Sequence, residues 1–237
     1  GRHAGRVLRQ YTDVLGVILP EILPMQGFEQ KNRHHKFDVL EHSIRAVEQM
    51  PAEPALRFAA LYHDTGKPHC MTIDDKGVGH FYGHPALSAA LAEQRCLALK
   101  MSNELRETIV FIVDHHDMPM PNEAKIIRRR LARFGETRVR QLLMMKKADG
   151  VGRGTYPEYI GHYLELERML NEVLRQKNCL SVRSLALDGH ALLALGLRGR
   201  QIGDMQRYLL ERVLDEPQCN TQETLTALVQ QYQEEHT

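Results

Sequence analysis

The sequence predicts an all-α fold, and three observations support this prediction. Apolar residues recur three or four positions apart in successive segments of the 237-residue chain, which is the spacing of a helix with one buried face. Proline or glycine separates most of these segments. The alternation of apolar and polar residues that marks half-buried strands is nearly absent, and with 43% hydrophobic residues the chain can bury a substantial core.

The first half of the chain divides into five predicted helices. Residues 3–19 carry the first amphipathic pattern, which Pro20 ends. The next helices are VLEHSIRAVEQM (39–50), the segment from Pro54 to the pentapeptide HDTGK (63–67), HPALSAALAEQRCLALKM (84–101) and NELRETIVFIVDHH (103–116). Between HDTGK and residue 84, the glycines and aspartates of DDKGVGHFYGH predict a turn between two short extended pieces.

Two more helices are predicted after the break at PMPN (119–122). They are AKIIRRRLARF and TRVRQLLMMKKAD, and Gly135 separates them. Three glycines follow in GVGRG (150–154), and this segment lacks the Lys-Ser/Thr that would complete a phosphate-binding loop. We therefore predict that GVGRG is a flexible joint.

The last third of the chain is also predicted to be helical. A long helix is expected from about Pro157 to Lys177, and Asp188 and Asn220 are predicted N-caps of later helices. The breaks divide the chain into an N-terminal helix and link (1–33), a helical bundle (34–150) and a smaller helical C-terminal region (151–237).

Composition excludes several classes of protein. The net charge of +1 creates no bulk attraction for nucleic acid, so any basic surface is local. No apolar run reaches the roughly 18–20 residues that span a bilayer, and no signal-peptide pattern is visible. The four cysteines are far apart, which favours reduced thiols in a cytoplasmic protein: Cys70, Cys96, Cys179 and Cys219. Because the first residue is glycine, we expect a piece of a longer protein.

The stretch HDTGK places an imidazole and a carboxylate, His63 and Asp64, side by side where an apolar helix ends. Alone, the pair indicates no more than a capped helix end with a surface histidine. However, other predicted helices carry further candidates, most of them near helix ends: His42, His84, His115, His116 and Asp149. Helical bundles bind metal ions with nitrogen and carboxylate donors from separate helices, so the sequence predicts a metal site.

The pattern resembles the HD-domain superfamily of metal-dependent phosphohydrolases. Its signature is a histidine on one helix, a His-Asp doublet on a later helix and a distant aspartate, which His42, His63-Asp64 and Asp149 match. The resemblance implies that these four residues hold one divalent cation. It also implies a second cation on Asp64 as a bridge, with His84 and either His115 or His116, of which His115 is favoured. Manganese, iron, nickel, zinc and magnesium all remain possible.

Other polar residues near the doublet have two interpretations each. Lys67 is a candidate catalytic residue that either supports the metal ligands or contacts a substrate phosphate, or it is a solvated lysine after a helix terminus. His34 and His35 either line the cleft or are polar residues that precede a helix.

Longer segments resemble the carboxy-terminal part of bacterial CCA-adding tRNA nucleotidyltransferases and poly(A)-polymerase-like proteins. They are GFEQKNRHHKFDVLEH, LRFAALYHDTGKP, GHFYGHPALSA, IRRRLARFG with KKAD, and the tail from LDGHALLALG onward. The Gly-Ser pair and paired aspartates of the nucleotidyltransferase head have no match here. The resemblance therefore implies hydrolysis of 2′,3′-cyclic nucleotides, phosphodiesters or phosphomonoesters.

A second hypothesis is an RNA-binding body whose HD site is secondary or inactive. Eight cations fall in the basic segment 128–147: Arg128, Arg129, Arg130, Arg133, Arg138, Arg140, Lys146 and Lys147. Such a cluster could bind tRNA phosphates, and the alternative is a solvated basic face. The sequence indicates neither the natural substrate nor the oligomeric state.

Overall fold

The computed structural model describes residues 3–33, 35–154, 160–176 and 178–235, and these confirm the all-α prediction. The helices in the first half are α1 (Ala4–Gln10), α2 (Thr12–Ile18), α3 (Val39–Gln49), α4 (Pro54–Tyr62), α5 (Lys67–Cys70), α6 (His84–Ala98) and α7 (Asn103–His115). The second half contains α8 (Ala124–Gly152), α9 (Ile160–Arg175), α10 (Gly189–Ala194), α11 (Arg200–Asp215) and α12 (Gln222–Glu235). Short 3₁₀ turns lie at Pro20–Met25, Val182–Ser184 and Pro217–Cys219.

A small hairpin forms where the sequence predicted two extended pieces. Strands β1 (Thr72–Ile73) and β2 (Gly79–His80) are antiparallel, with Thr72 opposite His80. Asp74 stabilises the turn because its Oδ1 accepts the backbone amides of Lys76 and Val78, both at 2.9 Å. The prediction for this segment is confirmed.

The single helix predicted over residues 3–19 is two helices, with a break at Tyr11 (φ −122°, ψ 29°). Next to the break, the Thr12 hydroxyl donates to the Leu8 carbonyl at 2.7 Å. A hydroxyl that bonds back to the preceding turn bends a helix, which accounts for the break. Several apolar side chains of this segment remain exposed, and Val17 is 83% exposed.

The described residues form two compact units. The first comprises 1–119 and 140–164, and the second 120–139 and 165–237. The sequence analysis had instead assigned 120–139 to the bundle. These residues belong to the second unit because Arg128 is buried there and donates to the Leu214 carbonyl at 2.6 Å and the Asp215 carbonyl at 2.9 Å, at the end of α11. Arg128 therefore satisfies open carbonyls at a helix C-terminus.

The core of the first unit lies among α3, α4, α6 and α7, which pack against one another in the order α3–α4–α7–α6. Ile44 of α3, Leu56 of α4 and Ile112 of α7 are at most 2% exposed. The predicted amphipathic faces therefore meet as expected, and the polar ends of these helices are brought to the same region of the bundle.

The second unit has its own core, formed by the helices of the tail and the segments between them. Leu192, Leu209, Leu225 and Val229 are fully buried in it. Asp188 caps α10 by accepting the Ala191 amide, as predicted. The N-cap prediction for Asn220 is wrong: its Oδ1 accepts the Ala186 amide, and the Thr221 hydroxyl accepts the Thr224 amide at the start of α12.

The helices within the described ranges lack the combination of length and apolarity that crossing a bilayer requires. All four cysteines are free thiols.

A half-buried ion pair joins α4 and α6 through the 3₁₀ turn at Pro20–Met25. Glu21 accepts the Tyr62 hydroxyl at 2.8 Å and Arg95 Nη2 at 2.9 Å. Burial alone would raise the pKa of the Glu21 carboxyl, but hydrogen bonds from Arg95, its own backbone and Tyr62 hold the pKa below its usual value. The bonded, ionised form is therefore the one that stabilises the fold.

We expect Glu21→Gln to lower the free energy of unfolding by about 1–3 kcal/mol at neutral pH, because Arg95 loses its counter-charge. Since the folded pKa lies below the unfolded one, the stabilisation is present above the ordinary carboxyl pKa of about 4.3 and is lost as the pH falls through the folded value. Urea unfolding at neutral and acidic pH measures this difference. If the stability difference between Glu21→Gln and the wild type does not shrink on acidification, the ionised Glu21 does not stabilise the fold. Glu223→Gln is the control, because Glu223 is exposed.

Candidate metal centre

The His-Asp doublet is held in a tight turn between α4 and α5. Position 66, two residues after the doublet, requires glycine. An ideal Cβ there would lie 2.7 Å from the His84 carbonyl oxygen and 3.0 Å from the Ser88 amide nitrogen. The Gly66 amide also donates to Ser88 Oγ at 2.9 Å. A side chain at position 66 would therefore push the doublet away from the beginning of α6, where His84 lies.

Three histidines have their tautomer determined by the backbone. The Nδ1 atoms of His63, His84 and His116 lie 2.8, 2.8 and 2.6 Å from the carbonyl oxygens of Ala60, Phe81 and Val113. A carbonyl can only accept, so each Nδ1 carries the proton and each Nε2 presents a lone pair. Histidines that bind a metal through one ring nitrogen usually donate the N–H of the other nitrogen in this way.

The Nε2 atoms of these three histidines and of His42 converge on the Asp64 carboxylate. Its Oδ2 lies 3.1 Å from His42 Nε2 and 3.2 Å from His63 Nε2. Its Oδ1 lies 3.3 Å from His84 Nε2 and 3.7 Å from His116 Nε2. Asp149 completes the first group, with its Oδ1 3.2 Å from His42 Nε2. Asp64 thus stands between two pairs of imidazoles, with one oxygen toward each pair.

The arrangement fits divalent cations. Asp64, His42 and His63 are at most 1% exposed, and both Asp64 oxygens and His42 Nδ1 receive no hydrogen bond of normal geometry. Within each pair the Nε2 atoms approach to 3.1 and 3.2 Å. Buried lone pairs at this separation repel unless a cation or proton lies between them. Two residue groups could each hold a metal ion: His42, His63 and Asp64, and Asp64, His84 and His116.

The two carboxylates are ionised in this environment. Burial alone would raise the pKa of Asp64, but the neighbouring His63 imidazole and the charge of Lys67 hold the pKa well below its usual range. Burial likewise opposes ionisation of Asp149, and Arg153 and His42 hold its pKa well below the usual range. The centre therefore offers negative oxygens and nitrogen lone pairs, which are ligands for borderline divalent metals.

A cleft of about 320 Å³ opens onto this centre, and charged side chains of both signs line it. Lys67 is buried in its wall, with Nζ 2.7 Å from Asp64 Oδ2 and donating to Gln30 Oε1 at 2.8 Å. Arg153 also lines the cleft and donates to Asp149 Oδ2 at 2.6 Å. His35 lines the same cleft, and burial followed by the charge of Lys67 lowers its pKa to about 3.

The sequence favoured His115 over His116, and the structure reverses this order. His115 lies apart from the Asp64 cluster, with its Nδ1 3.0 Å from the Phe111 carbonyl oxygen and its ring stacked on Phe111 at 4.6 Å. Successive helical residues point about 100° apart, so only one of two adjacent histidines can face the interior. His34 lies outside the described residues.

The sequence pattern does not indicate Arg153, because the glycines of GVGRG predict a flexible joint. Instead, α8 continues through Gly152, and Arg153 follows Asp149 by four positions, so both lie on one face. The i, i+4 spacing from Asp149 was the available signal. Gly150 and Gly152 are small for packing reasons: a Cβ on Gly150 would lie 2.7 Å from the Tyr163 hydroxyl oxygen, and one on Gly152 would lie 2.8 Å from the His42 carbonyl oxygen and 2.9 Å from its Nδ1.

We expect Gly152→Ala to lower the free energy of unfolding by about 1–3 kcal/mol and to weaken metal binding, because the added methyl overlaps His42. Gly161→Ala in the same unit is the matched control, since nothing lies within 4 Å of its Cβ. Denaturant unfolding and metal titration measure both effects. Equal stability and metal affinity in the two variants would contradict the close approach.

Comparison with known proteins identifies the family of the chain. The HD domain family model matches residues 32–150. An A-adding tRNA nucleotidyltransferase from Deinococcus radiodurans is 31% identical, over 94% of this chain and 52% of the relative. A CC-adding tRNA nucleotidyltransferase from Thermus thermophilus is 32% identical, over 87% of this chain and 48% of the relative. A multifunctional CCA protein from Azoarcus sp. is 34% identical over 48% of this chain and 28% of its own length.

The chain thus spans about half the length of the first two relatives. The resemblance to the carboxy-terminal part of tRNA nucleotidyltransferases is confirmed. With half of its residues matched by the family model, the chain belongs to the HD domain family.

Proposed function

We propose that this chain is a metal-dependent phosphohydrolase that cleaves phosphoesters of nucleotides or RNA ends. The observation that carries the proposal is the buried Asp64 carboxylate, whose two oxygens each face a pair of imidazole Nε2 atoms. Lys67 Nζ lies 2.7 Å from one Asp64 oxygen, but one ammonium group does not account for four imidazoles that converge on the same carboxylate. The donors are the ligand set of a two-cation centre, and Lys67 and Arg153 line the cleft that opens onto it.

One cation would be held by His42, His63, Asp64 and Asp149, and a second by Asp64, His84 and His116. When bound, such ions supply Lewis acidity toward phosphoryl oxygens and lower the pKa of water. The charge of the donor set does not select among manganese, iron, nickel, zinc and magnesium.

The remaining cleft residues bind and orient the phosphoester. Lys67 and Arg153 point their cationic ends at Asp64 and Asp149, and both line the cleft. For a phosphate group that approaches the centre, these two cations offset the charge of the carboxylates. Arg153 can present two parallel N–H groups to phosphate oxygens, whereas Lys67 acts as a point charge.

The direct test is a hydrolysis assay of the wild-type chain, supplied in turn with each of the five divalent metals. The substrates are 2′,3′-cyclic AMP and bis(p-nitrophenyl) phosphate. We expect turnover with at least one transition metal, and no turnover after removal of the metal by a chelator. Absence of turnover with every metal, at saturating substrate, would contradict the proposal.

A second proposal concerns tRNA, and it is favoured by the names of the two relatives that cover most of this chain. We propose that the chain contacts tRNA phosphates, as part of a nucleotidyltransferase-like protein. Fewer cations of the basic segment 128–147 are available for phosphate contacts than the sequence suggests. Arg128 caps α11, and Arg129 pairs with Asp215 at 3.0 Å. Arg133 and Arg138 are exposed.

A tRNA-binding titration across salt concentrations tests this second proposal. Each phosphate contact adds about 0.7–0.9 to the slope of log affinity against log salt. We expect Arg138→Gln to reduce that slope by about one contact, whereas Arg128→Gln chiefly lowers stability. A salt slope near zero would contradict tRNA binding through phosphate contacts.

A further inference from the structure

The rim of the cleft carries an exposed aromatic side chain that hydrolysis alone does not explain. Tyr82 lines the same cleft as Asp64, His84 and His116, yet it is 78% exposed. Among the exposed large apolar side chains in the described ranges, Tyr82 is the one that lines this cleft. Isolated exposed aromatics are common on protein surfaces, so the position of Tyr82 is the informative feature.

The orientation of the Tyr82 ring is set by the hairpin. Its plane is within 3° of the His80 ring, and the two centroids are 5.6 Å apart. His80 Nε2 in turn lies 2.9 Å from Asp74 Oδ2, and the other oxygen of Asp74 accepts two amides of the turn. The turn therefore holds His80, and His80 holds the tyrosine ring parallel to itself while leaving most of its surface open.

The chain geometry places this ring next to the phosphate end of the cleft. Tyr82 and His84 are separated by Gly83, whose φ of +78° is favourable only for glycine and turns the chain into α6. Two residues span at most about 7 Å. Tyr82, His84 and Asp64 also line one cleft, so a ligand whose phosphate lies at His84 and Asp64 can extend along the wall that includes Tyr82.

We propose that Tyr82 is the base-stacking residue of a nucleotide subsite, so that the centre takes nucleoside phosphates in preference to base-free phosphate esters. This inference rests on the proposed function, because it assigns the phosphate to the metal centre. Lys67 and Arg153 attract the phosphate, and the oriented phenol ring stacks on the base. Stacking accepts every base because each has a π-face, so Tyr82 distinguishes nucleotides from sugar phosphates and not one base from another.

The test is a binding measurement, which does not require turnover. 5′-AMP and ribose 5-phosphate differ only in the base, and calorimetric titration of each into the Mn²⁺-supplemented chain compares them. We expect the wild type to bind 5′-AMP more tightly. Tyr82→Ala should weaken 5′-AMP binding by about 5- to 100-fold and leave ribose 5-phosphate unchanged. Tyr82→Phe and Tyr82→Trp should restore the preference, because both keep an aromatic face.

Tyr11→Ala is the control, since Tyr11 is a half-exposed tyrosine outside the cleft lining. Equal affinity of the wild type for the two ligands would overturn the proposal, as would undetectable binding of both. A loss in Tyr82→Ala that affects both ligands equally would also overturn it. A catalytically inactive chain that still shows the base-dependent preference would contradict the hydrolysis proposal and leave the stacking role of Tyr82 supported.

Discussion

Asp64→Asn is expected to lower hydrolysis of 2′,3′-cyclic AMP by about 10³-fold or more, equivalent to roughly 4 kcal/mol of transition-state stabilisation. The substitution keeps the size of the side chain and removes its charge. Both proposed cations share this carboxylate, because one oxygen faces His42 and His63 and the other faces His84 and His116. One change therefore affects the ligand sets of both.

Thermal unfolding separates this loss from a folding defect. Without metal, Asp64→Asn should still unfold in a cooperative transition, at a somewhat lower temperature than the wild type, because the buried Lys67 ammonium 2.7 Å from Asp64 Oδ2 loses its counter-charge. With metal in large excess over its dissociation constant, the wild type should gain up to about 4 kcal/mol of stability, and the variant should gain little. Unchanged turnover in Asp64→Asn would contradict the assignment of Asp64 as the shared ligand.

The second large effect is expected from His116, with His115 as its matched control. His116→Ala removes a buried imidazole whose Nε2 lies 3.2 Å from His84 Nε2. We expect it to lower turnover by about 10²-fold or more and to remove one bound cation. His115→Ala changes the same residue type one position earlier, where the ring stacks on Phe111, and it should retain turnover within a few-fold.

Steady-state kinetics of the two variants, with metal at saturation, measure this difference. A larger loss of turnover in His115→Ala than in His116→Ala would contradict the placement of the two rings. Equal losses in both variants would indicate that the end of α7, and not the His116 ligand, is being disturbed.

The sequence was sufficient for the all-α fold and for the residues around Asp64. Apolar spacing predicts helices well when each has one buried face, as α3 and α7 do. The doublet and its partners could be predicted because His and Asp occur at distinctive positions in consecutive helices. The geometry adds what spacing cannot supply, namely that the two oxygens of Asp64 face different imidazole pairs.

The choice between His115 and His116 required the structure, because helix ends predicted from sequence are uncertain by one or two residues. An error of one residue rotates a side chain by about 100° and moves a histidine from the interior to the surface. The end of α8 shows the same uncertainty, because the sequence predicts it at Asp149 and the helix continues through Gly152. Glycines that permit contact with His42 and Tyr163 were interpreted as a flexible joint, and Arg153 was overlooked.

The basic segment shows a different limit. Its charges are evident from the sequence, but the residues that use them are distant in the chain. Arg128 donates to carbonyls 86 and 87 positions away, at the end of α11. No local pattern distinguishes such a buried helix cap from an arginine that binds a phosphate.

The most direct measurement is the metal content of the chain after reconstitution with Mn²⁺ and removal of excess ion. The proposed centre predicts two equivalents per wild-type chain, one in His116→Ala, two in His115→Ala and little or none in Asp64→Asn. Absence of bound metal in the wild type, or equal metal content in the wild type and Asp64→Asn, would contradict the metal centre on which the proposed hydrolysis depends.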